Sequence, residues 1–204
     1  VRELLTAPID QQATQQIYNG GSKPTPVAFY LAKEGKPENL AAASARAFLG
    51  IRLECAQCHN HPFAEWTRDQ FWELAAFFGG IKSRDRGDGM MFPEKEVLDS
   101  RELAIPGTDM VVQANFPDGT EPKWKFKVGP RETLAEWVTG KTNPYFARAT
   151  VNRVWAQFFG IGLVEPVDEM VGAQDTVVHH AELLNELAKA IVENKYDLQL
   201  LIEA

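Results

Sequence analysis

Cysteine and histidine are scarce in this sequence, which has two cysteines and four histidines among 204 residues. The cysteine count excludes a tetrahedral metal shell built from thiolates alone. Any metal site that uses Cys55 and Cys58 has to be completed by histidine or carboxylate side chains. The surroundings of these two cysteines are therefore the first place to look for chemistry.

The sequence also lacks a dense block of basic residues and a long apolar run. Its 21 basic and 28 acidic residues give a formal net charge of −7, which does not supply the positive surface that binding to a phosphate backbone requires. The longest apolar stretches, such as residues 74–81, are far shorter than the roughly 20 residues that cross a bilayer. We therefore predict no nucleic acid partner and no membrane span in this segment.

A leader sequence is also missing, because no charged and then apolar stretch opens the chain. The chain begins at Val1 within one amphipathic segment and reaches Ala204 within another. We therefore expect a piece of a longer protein, whose other domains are partners of this segment. Any leader would precede Val1, so localisation has to be predicted from chemistry.

The composition that is present is ordinary for a globular protein, with 45% hydrophobic and 24% charged residues. Apolar residues at helical spacing predict a helix over residues 37–48 that runs toward the cysteines, with Asn39 as its cap. Thr67 and Gln70 have the spacing of a capping box. A second helix should follow them and end at Gly79-Gly80, and its apolar face would consist of Phe71, Leu74, Ala75 and Phe78.

The middle of the chain has a different pattern. Residues 82–89 are charged and contain glycine, which predicts a mobile surface loop. Residues 110–112 and 124–128 have the composition of short strands around an Asp118-Gly119 turn. Helical patterns return afterwards, with Pro130 opening one helix, Asn143-Pro144 opening another through Phe159, and further segments at 180–194 and 197–203.

These patterns predict a mainly α (α+β) fold. A helical N-terminal region (1–85) would carry the cysteines, a connector with β structure (86–128) would follow, and a C-terminal helical region (129–204), expected to be truncated, would pack against the first.

The five residues at positions 55–59 are Cys-Ala-Gln-Cys-His. Covalent haem attachment needs two thiols spaced to add to the two porphyrin vinyl groups, followed directly by an imidazole that ligates the iron. Cys55, Cys58 and His59 have this order and spacing. The motif therefore predicts a haem c bonded to Cys55 and Cys58, with His59 as the proximal axial ligand.

A zinc or iron site is the main alternative, with a shell drawn from Cys55, Cys58, His59 and His61. A redox-active dithiol usually lies between a strand and a helix, and no such succession is predicted around the motif. A structural disulfide would close so short a loop that it would stabilise the fold little.

The second axial ligand of the haem iron is left open. Met90 and Met91 could supply a thioether, and His179 and His180 could approach from the C-terminal region. A five-coordinate iron is the remaining possibility and would favour small-molecule chemistry. His61 is too close in sequence to His59 to reach the other face of the same haem.

Asn152, Arg153 and Trp155 form the most distinctive cluster of the second half. They could face the haem region or a substrate, or they could belong to a structural helix in which Arg153 pairs with Glu165 or Asp168. We favour the structural interpretation, because pairs of arginine and carboxylate are common structural features.

The region around the cysteines resembles the planctomycete cytochrome-associated proteins, which are large exported proteins that combine cytochrome-c-like segments with two domains of unknown function. This resemblance rests on residues 45–63, Trp66 and residues 71–78. The second half resembles the companion domain at residues 130–137, 143–148, 150–155, 158–160, 162–168 and 180–184. It departs from the family at His179-His180-Ala181, where histidine is more often followed by proline.

The resemblance implies haem, export and a position within a longer chain. With the motif, it predicts a c-type haem-binding redox protein that transfers electrons to redox partners in the periplasm or another extracytoplasmic compartment. A Cys/His metal-binding or structural module without redox turnover is the alternative. No complete acid/base pair is visible, so enzymatic activity stays open and no catalytic residue is assigned.

Overall fold

The computed structural model describes residues 1–18, 25–85, 87, 91–170 and 177–203. The predicted fold class, mainly α (α+β), is confirmed. Within these residues, no helix is long and apolar enough to cross a membrane. The helices are α1 (Arg2–Leu5), α2 (Gln11–Tyr18), α3 (Val27–Ala32), α4 (Pro37–Ser44), α5 (Arg68–Ala76), α6 (Pro130–Val138), α7 (Phe146–Phe159), α8 (Ala181–Glu193) and α9 (Leu198–Glu203). The strands form antiparallel pairs: β1 (Ile81–Asp85) with β2 (Met91–Glu96), β3 (Glu102–Ala104) with β4 (Val111–Gln113), and β5 (Val164–Glu165) with β6 (Val177–Val178).

The helix that leads toward the cysteines is confirmed and begins at Pro37, as predicted, but its cap differs from the prediction. Pro37 occupies the first turn of α4 after the extended Lys36, and Asn39 lies inside the helix, where its side-chain amide donates to the carbonyl of Lys33. The fixed backbone angle of proline suits a helix start, so no capping side chain is required there. The prediction that Asn39 is the cap was therefore wrong.

A π-helical turn (Ala45–Leu49) continues α4 and ends at Gly50. Gly50 has a φ of +68°, a conformation that side chains other than glycine rarely adopt. A Cβ at this position would lie 2.9 Å from the sulfur of Met170 and 3.2 Å from the Cβ of Ala149. Glycine therefore allows residues of the C-terminal region to approach the chain just before the cysteines.

The capping box at the start of α5 is confirmed. The hydroxyl of Thr67 accepts from the backbone N–H of Gln70, and the side chain of Gln70 accepts from the N–H of Thr67. The predicted apolar face of α5 is buried in the core. This helix is the main packing partner of the cysteine region.

The predicted surface loop at residues 82–89 was wrong in its first half, because Ile81–Asp85 forms β1 and pairs with β2. Only Ile81 of β1 is buried, whereas Phe92 and Pro93 of β2 are both buried. A strand whose side chains are mostly charged and exposed shows no alternation in sequence, so its pairing was invisible there. Residues 86 and 88–90 lie outside the described residues.

The connector contains a strand pair, as predicted, but in a different place. Val111–Gln113 pairs with Glu102–Ala104, and residues 124–128 form no strand. Aromatic packing explains the difference, since Phe116 stacks on Trp137 with ring centroids 4.6 Å apart, and Trp124 packs on Phe77 at 6.1 Å. Trp124 therefore packs against the core instead of pairing in a strand, whereas Phe126 is 89% exposed.

The helices of the second half are confirmed. Pro130 occupies the first turn of α6, and α7 ends at Gly160, which has a φ of +77°. The α6 residues Leu134, Ala135 and Val138 belong to the larger core, which also contains the N-terminal helices, whereas α7 and α8 form a smaller core. The predicted division at residues 85 and 128 stays a prediction.

Candidate functional site

The cysteine motif begins in a short 3₁₀ helix, Glu54–Gln57. Ala56 is buried, and its N–H donates to the carbonyl of Leu53 over 2.9 Å. The indole N–H of Trp72 in α5 donates to the carbonyl of Gln57 over 3.0 Å and ties this turn to the helix. Anchoring through Ala56 and Gln57 leaves Cys55 and Cys58 at the surface, where both thiols are free and exposed.

His59 is exposed next to the second thiol. Its Nδ1 lies 2.6 Å from the carbonyl oxygen of Asn60. A carbonyl only accepts, so Nδ1 is the donor in this contact, and in the neutral ring the lone pair is then on Nε2. Nε2 is therefore the ring nitrogen that the neutral imidazole offers to a metal ion.

His61 has a local role, as a polar residue in the turn that contains Pro62. Its backbone N–H donates to the carbonyl of Trp66 over 2.8 Å, and its Nδ1 accepts from the N–H of Phe63 over 3.2 Å. These contacts fold residues 61–66 into a compact loop between the motif and α5. Phe63, whose ring lies 6.5 Å from that of His61, is 58% exposed.

The residues proposed for the alternative metal shell, Cys55, Cys58, His59 and His61, all lie in the described part of the chain. Among the described residues, no group of three or more His, Cys, Asp or Glu side chains is close enough together to hold a metal ion. The structure therefore does not assemble the four side chains into a shell.

The candidates for the second axial ligand lie on other elements. Met91 is half-buried at the start of β2, which packs against β1, α2 and α3. His179 and His180 are exposed before α8. Met90 lies outside the described residues. None of the three described candidates belongs to α5, the main packing partner of the motif.

Arg68, at the first position of α5, is a residue of this region that the sequence did not indicate. Its backbone N–H donates to the side-chain oxygen of Asn60 over 3.0 Å, which places it beside the motif. Its Nε is buried and has no hydrogen-bond partner within the described residues. A buried guanidinium nitrogen without an acceptor is costly, so this position suits a bound carboxylate. Nothing in the local sequence distinguishes Arg68 from a surface arginine.

An ion-pair network connects the C-terminal region to the residues before the motif. The buried Asp168 accepts from Arg46 Nε over 2.5 Å and pairs with Arg52 over 2.8 Å. Arg46 also lies 3.7 Å from the carboxylate of Glu54, the first residue of the 3₁₀ helix. Residues flanking the cysteines are thus held by a carboxylate that is more than a hundred positions away in sequence.

Arg153 takes part in the same contact, but not in the way predicted. Its guanidinium donates to the carbonyls of Ala47, over 2.6 Å, and Arg46. The pairing of Arg153 with Glu165 or Asp168 was therefore wrong. The π-helical turn leaves carbonyl groups without helical partners, and these are the acceptors that Arg153 satisfies.

The other two members of the cluster are structural. Asn152 is fully buried and pairs with the backbone of Val164, and Trp155 packs on Phe159 with ring centroids 4.2 Å apart. Neither contacts the cysteine motif through these interactions.

The Asp168 network makes a specific prediction about pH. Burial alone would raise the pKa of Asp168, but the hydrogen bonds and charges of Arg52 and Arg46 outweigh burial and hold the pKa below its usual value. A carboxyl group with a depressed pKa in the folded state stabilises the fold above its unfolded pKa of about 3.9 and loses that contribution as the pH falls through the folded value. Acidification should therefore remove the contribution.

We expect Asp168→Asn to lower the free energy of unfolding at pH 7 by about 1–2 kcal/mol. The expected loss is modest because both arginines are partly exposed. Urea unfolding followed by circular dichroism from pH 7 to pH 2 should show the difference from the unaltered protein shrinking below about pH 4. Asp109→Asn, at an exposed position, is the control and should have little effect. A difference for Asp168→Asn that stays constant across this range would contradict the argument.

Two family models match the chain, one in its N-terminal part and one in its C-terminal part. Residues 3–83 match PSCyt2, described as a protein of unknown function (DUF1549), and residues 130–204 match PSD1, described as a protein of unknown function (DUF1553). No curated protein and no solved structure matches the chain. The predicted resemblance to two adjacent domains of unknown function is therefore confirmed, and the Asp168 network joins the two matched segments.

Proposed function

We propose that this chain binds a c-type haem through thioether bonds to Cys55 and Cys58, with His59 as an axial ligand, and that it transfers electrons. The observation that carries the proposal is the presentation of the motif. Both thiols are free and exposed, and the adjacent imidazole has its Nδ1 engaged by Asn60, which leaves Nε2 available. The name PSCyt2, matched by residues 3–83, hints at a cytochrome association and supports the same proposal.

The residues around the motif fit the group. Each thiol would add across one vinyl group, forming a carbon–sulfur bond while its hydrogen passes to the neighbouring vinyl carbon, so no external oxidant is needed. Arg68 offers a buried guanidinium nitrogen that has no acceptor among the described residues, which suits an ionised haem propionate. Phe63 offers an exposed apolar ring beside the motif.

The haem would supply one-electron redox chemistry, and the chain would hold and orient it. The Asn60 carbonyl would orient the ring of His59 through Nδ1, in the manner that carbonyls orient metal-bound histidines in other proteins. Trp72 and the capped α5 hold the turn that carries the cysteines. A motif at the surface suits electron transfer because a redox partner can approach it closely.

Export of the protein is part of the same proposal, because it rests on the same two thiols. Two exposed thiols that are committed to a covalent group would function in an extracytoplasmic compartment, where this segment would act within a longer chain and with separate redox partners. Neither the distal ligand nor the redox partner is assigned.

The test is to export the full chain in a bacterium that carries the machinery for c-type haem attachment. We expect about one haem per chain, still bound after denaturation, as covalent attachment requires. Intact mass and the Soret absorption of the denatured protein measure it. Cys58→Ser should remove one thioether bond and greatly lower the haem content.

His59→Gln and His61→Gln are a matched pair of variants, because the chemical change is the same and only His59 is proposed to ligate iron. We expect His59→Gln to change the visible spectrum and lower the haem yield, and His61→Gln to leave both close to those of the unaltered protein. Absence of covalent haem under these conditions would overturn the proposal. Stoichiometric zinc lost in Cys58→Ser would instead establish the metal-binding alternative.

A further inference from the structure

A second candidate site lies between the start of α7 and the face of α8, independent of the haem proposal. A pocket of 360 Å³ is open there. Its polar lining consists of Lys141, Asn143, Arg148, Asn185, Lys189 and Glu193. None of these residues belongs to the cysteine motif or to the Asp168 network.

Asn143 is the residue that points to a ligand. It is 8% exposed, and its side-chain oxygen accepts from the N–H groups of Tyr145 and Phe146 over 2.9 and 2.8 Å, which caps α7. The other half of the same amide, Nδ2, is buried and has no hydrogen-bond partner within the described residues. Because the oxygen is committed to these two N–H groups, the orphaned group is a donor of a residue that lines the pocket, and an acceptor that reaches this amide would satisfy it.

The charges that line the pocket favour an anion. Three cations, Lys141, Arg148 and Lys189, face one carboxylate, that of Glu193. Burial lowers the pKa of Arg148, and its partner is the neutral side chain of Asn185. Within the described residues, no ion pair involves Arg148, so no carboxylate of that part of the chain is its counterion.

The first turn of α7 adds to this charge. The helix spans 14 residues, and its peptide dipoles place partial positive charge at the end where Asn143 and Ala147 line the pocket. A helix start alone is not a site, but here it coincides with the orphaned amide of Asn143 and with the guanidinium of Arg148, which has no ion-pair partner among the described residues.

We propose that this pocket binds a divalent oxyanion, either inorganic phosphate or sulfate or the same group carried as a monoester on a larger molecule. Asn143 Nδ2 donates to one oxygen of the anion, and Arg148 and Lys189 supply the balancing charge. Two negative charges on the ligand match the excess of cations over the single carboxylate, whereas a monovalent carboxylate would leave positive charge uncompensated.

Isothermal titration of the full chain with sodium sulfate and sodium phosphate, at constant ionic strength in chloride, tests the proposal. We expect saturable binding of both dianions and much weaker binding of acetate. Titration with phenyl phosphate distinguishes the sources: tighter binding than inorganic phosphate indicates a monoester of a larger molecule, and exclusion of phenyl phosphate indicates the free ion.

Asn143→Asp is the sharpest variant, because aspartate keeps the oxygen that caps α7 and replaces the orphaned donor by a negative oxygen. We expect the affinity for sulfate to fall at least tenfold, with an unchanged circular dichroism spectrum. Lys189→Gln, at an exposed position that does not threaten folding, should weaken binding about threefold to tenfold. Lys123→Gln, outside the pocket, is its control and should bind normally.

Binding that is absent, that is equal for acetate and sulfate, or that is unchanged in both Asn143→Asp and Lys189→Gln would overturn the proposal. Covalent haem content is not expected to change in these variants, so this result and the outcome of the haem test can be judged separately.

Discussion

Replacement of Arg131 by alanine is expected to lower the free energy of unfolding by about 3–5 kcal/mol, which is the usual cost of removing one partner of a buried ion pair. Arg131 lies in the first turn of α6 and is 4% exposed. Its guanidinium donates to both carboxylate oxygens of Glu96, to the carbonyls of Leu5 and Ala7, each over 3.0 Å, and to the hydroxyl of Tyr30 over 2.8 Å.

The size of this effect follows from what the substitution leaves behind. The Glu96 carboxylate, which is mostly buried, would lose its counterion, and the Ala7 carbonyl and the Tyr30 hydroxyl would lose a donor. The Leu5 carbonyl would keep its bond from Tyr30, over 2.7 Å. Each uncompensated buried group carries a desolvation cost, so the loss exceeds that of one exposed salt bridge.

Urea unfolding followed by circular dichroism measures the change, with Arg101→Ala as the control. Arg101 lies over the ring of Trp124 at 4.6 Å and is half-buried, and its loss should cost no more than about 1 kcal/mol. The double variant Arg131→Ala with Glu96→Ala should lose less than the sum of the two single variants, because the second change removes the unpaired carboxylate. A loss below about 1 kcal/mol in Arg131→Ala would refute the argument.

Asn152→Ala is expected to have the second largest effect, a loss of about 2–4 kcal/mol in the free energy of unfolding. The Asn152 side chain is fully buried in α7. Its amide forms two hydrogen bonds with the backbone of one residue of β5, as the backbone of a paired strand would. Its amide donates to the Val164 carbonyl over 2.7 Å, and its oxygen accepts from the Val164 N–H over 2.8 Å. Alanine would leave both backbone groups buried without these partners.

This loss should extend beyond β5. Asp168 and Glu169 follow β5 and hold Arg46 and Arg52 before the cysteine motif. We therefore expect faster hydrogen exchange at residues 163–170 and at residues 46–52 in Asn152→Ala, measured by mass spectrometry. Asn194→Ala is the matched control, because its amide makes one exposed bond to the Ala190 carbonyl. Equal destabilisation by the two variants would disprove the proposed role of Asn152.

The local features of the chain could be predicted from sequence because each depends on residues a few positions apart. The capping box of Thr67 and Gln70 and the first-turn positions of Pro37 and Pro130 are set by backbone angles and nearby donors. The mainly α class follows from apolar spacing, which α8 displays clearly. The cysteine motif was equally visible, because its five residues are contiguous.

Pairing between distant segments could not be predicted in the same way. The strand β1 has one buried residue and an otherwise charged, exposed surface, so its sequence is typical of a loop. Residues 124–128 alternate as a strand would, yet Trp124 is held in the core by Phe77. In both cases the partner in the tertiary structure decides the conformation, as it commonly does for β structure.

The candidate sites show the same division. The sequence by itself determined that Cys55, Cys58 and His59 stand together at haem-attachment spacing, because the spacing is a property of neighbouring residues. Only the tertiary structure decided that both thiols face solvent, that Arg68 lies beside Asn60 with a nitrogen that has no partner in the described part of the chain, and that Asp168 binds Arg46 and Arg52 across the fold. Burial and the pairing of charges depend on which distant segments meet, and folding alone brings those segments together.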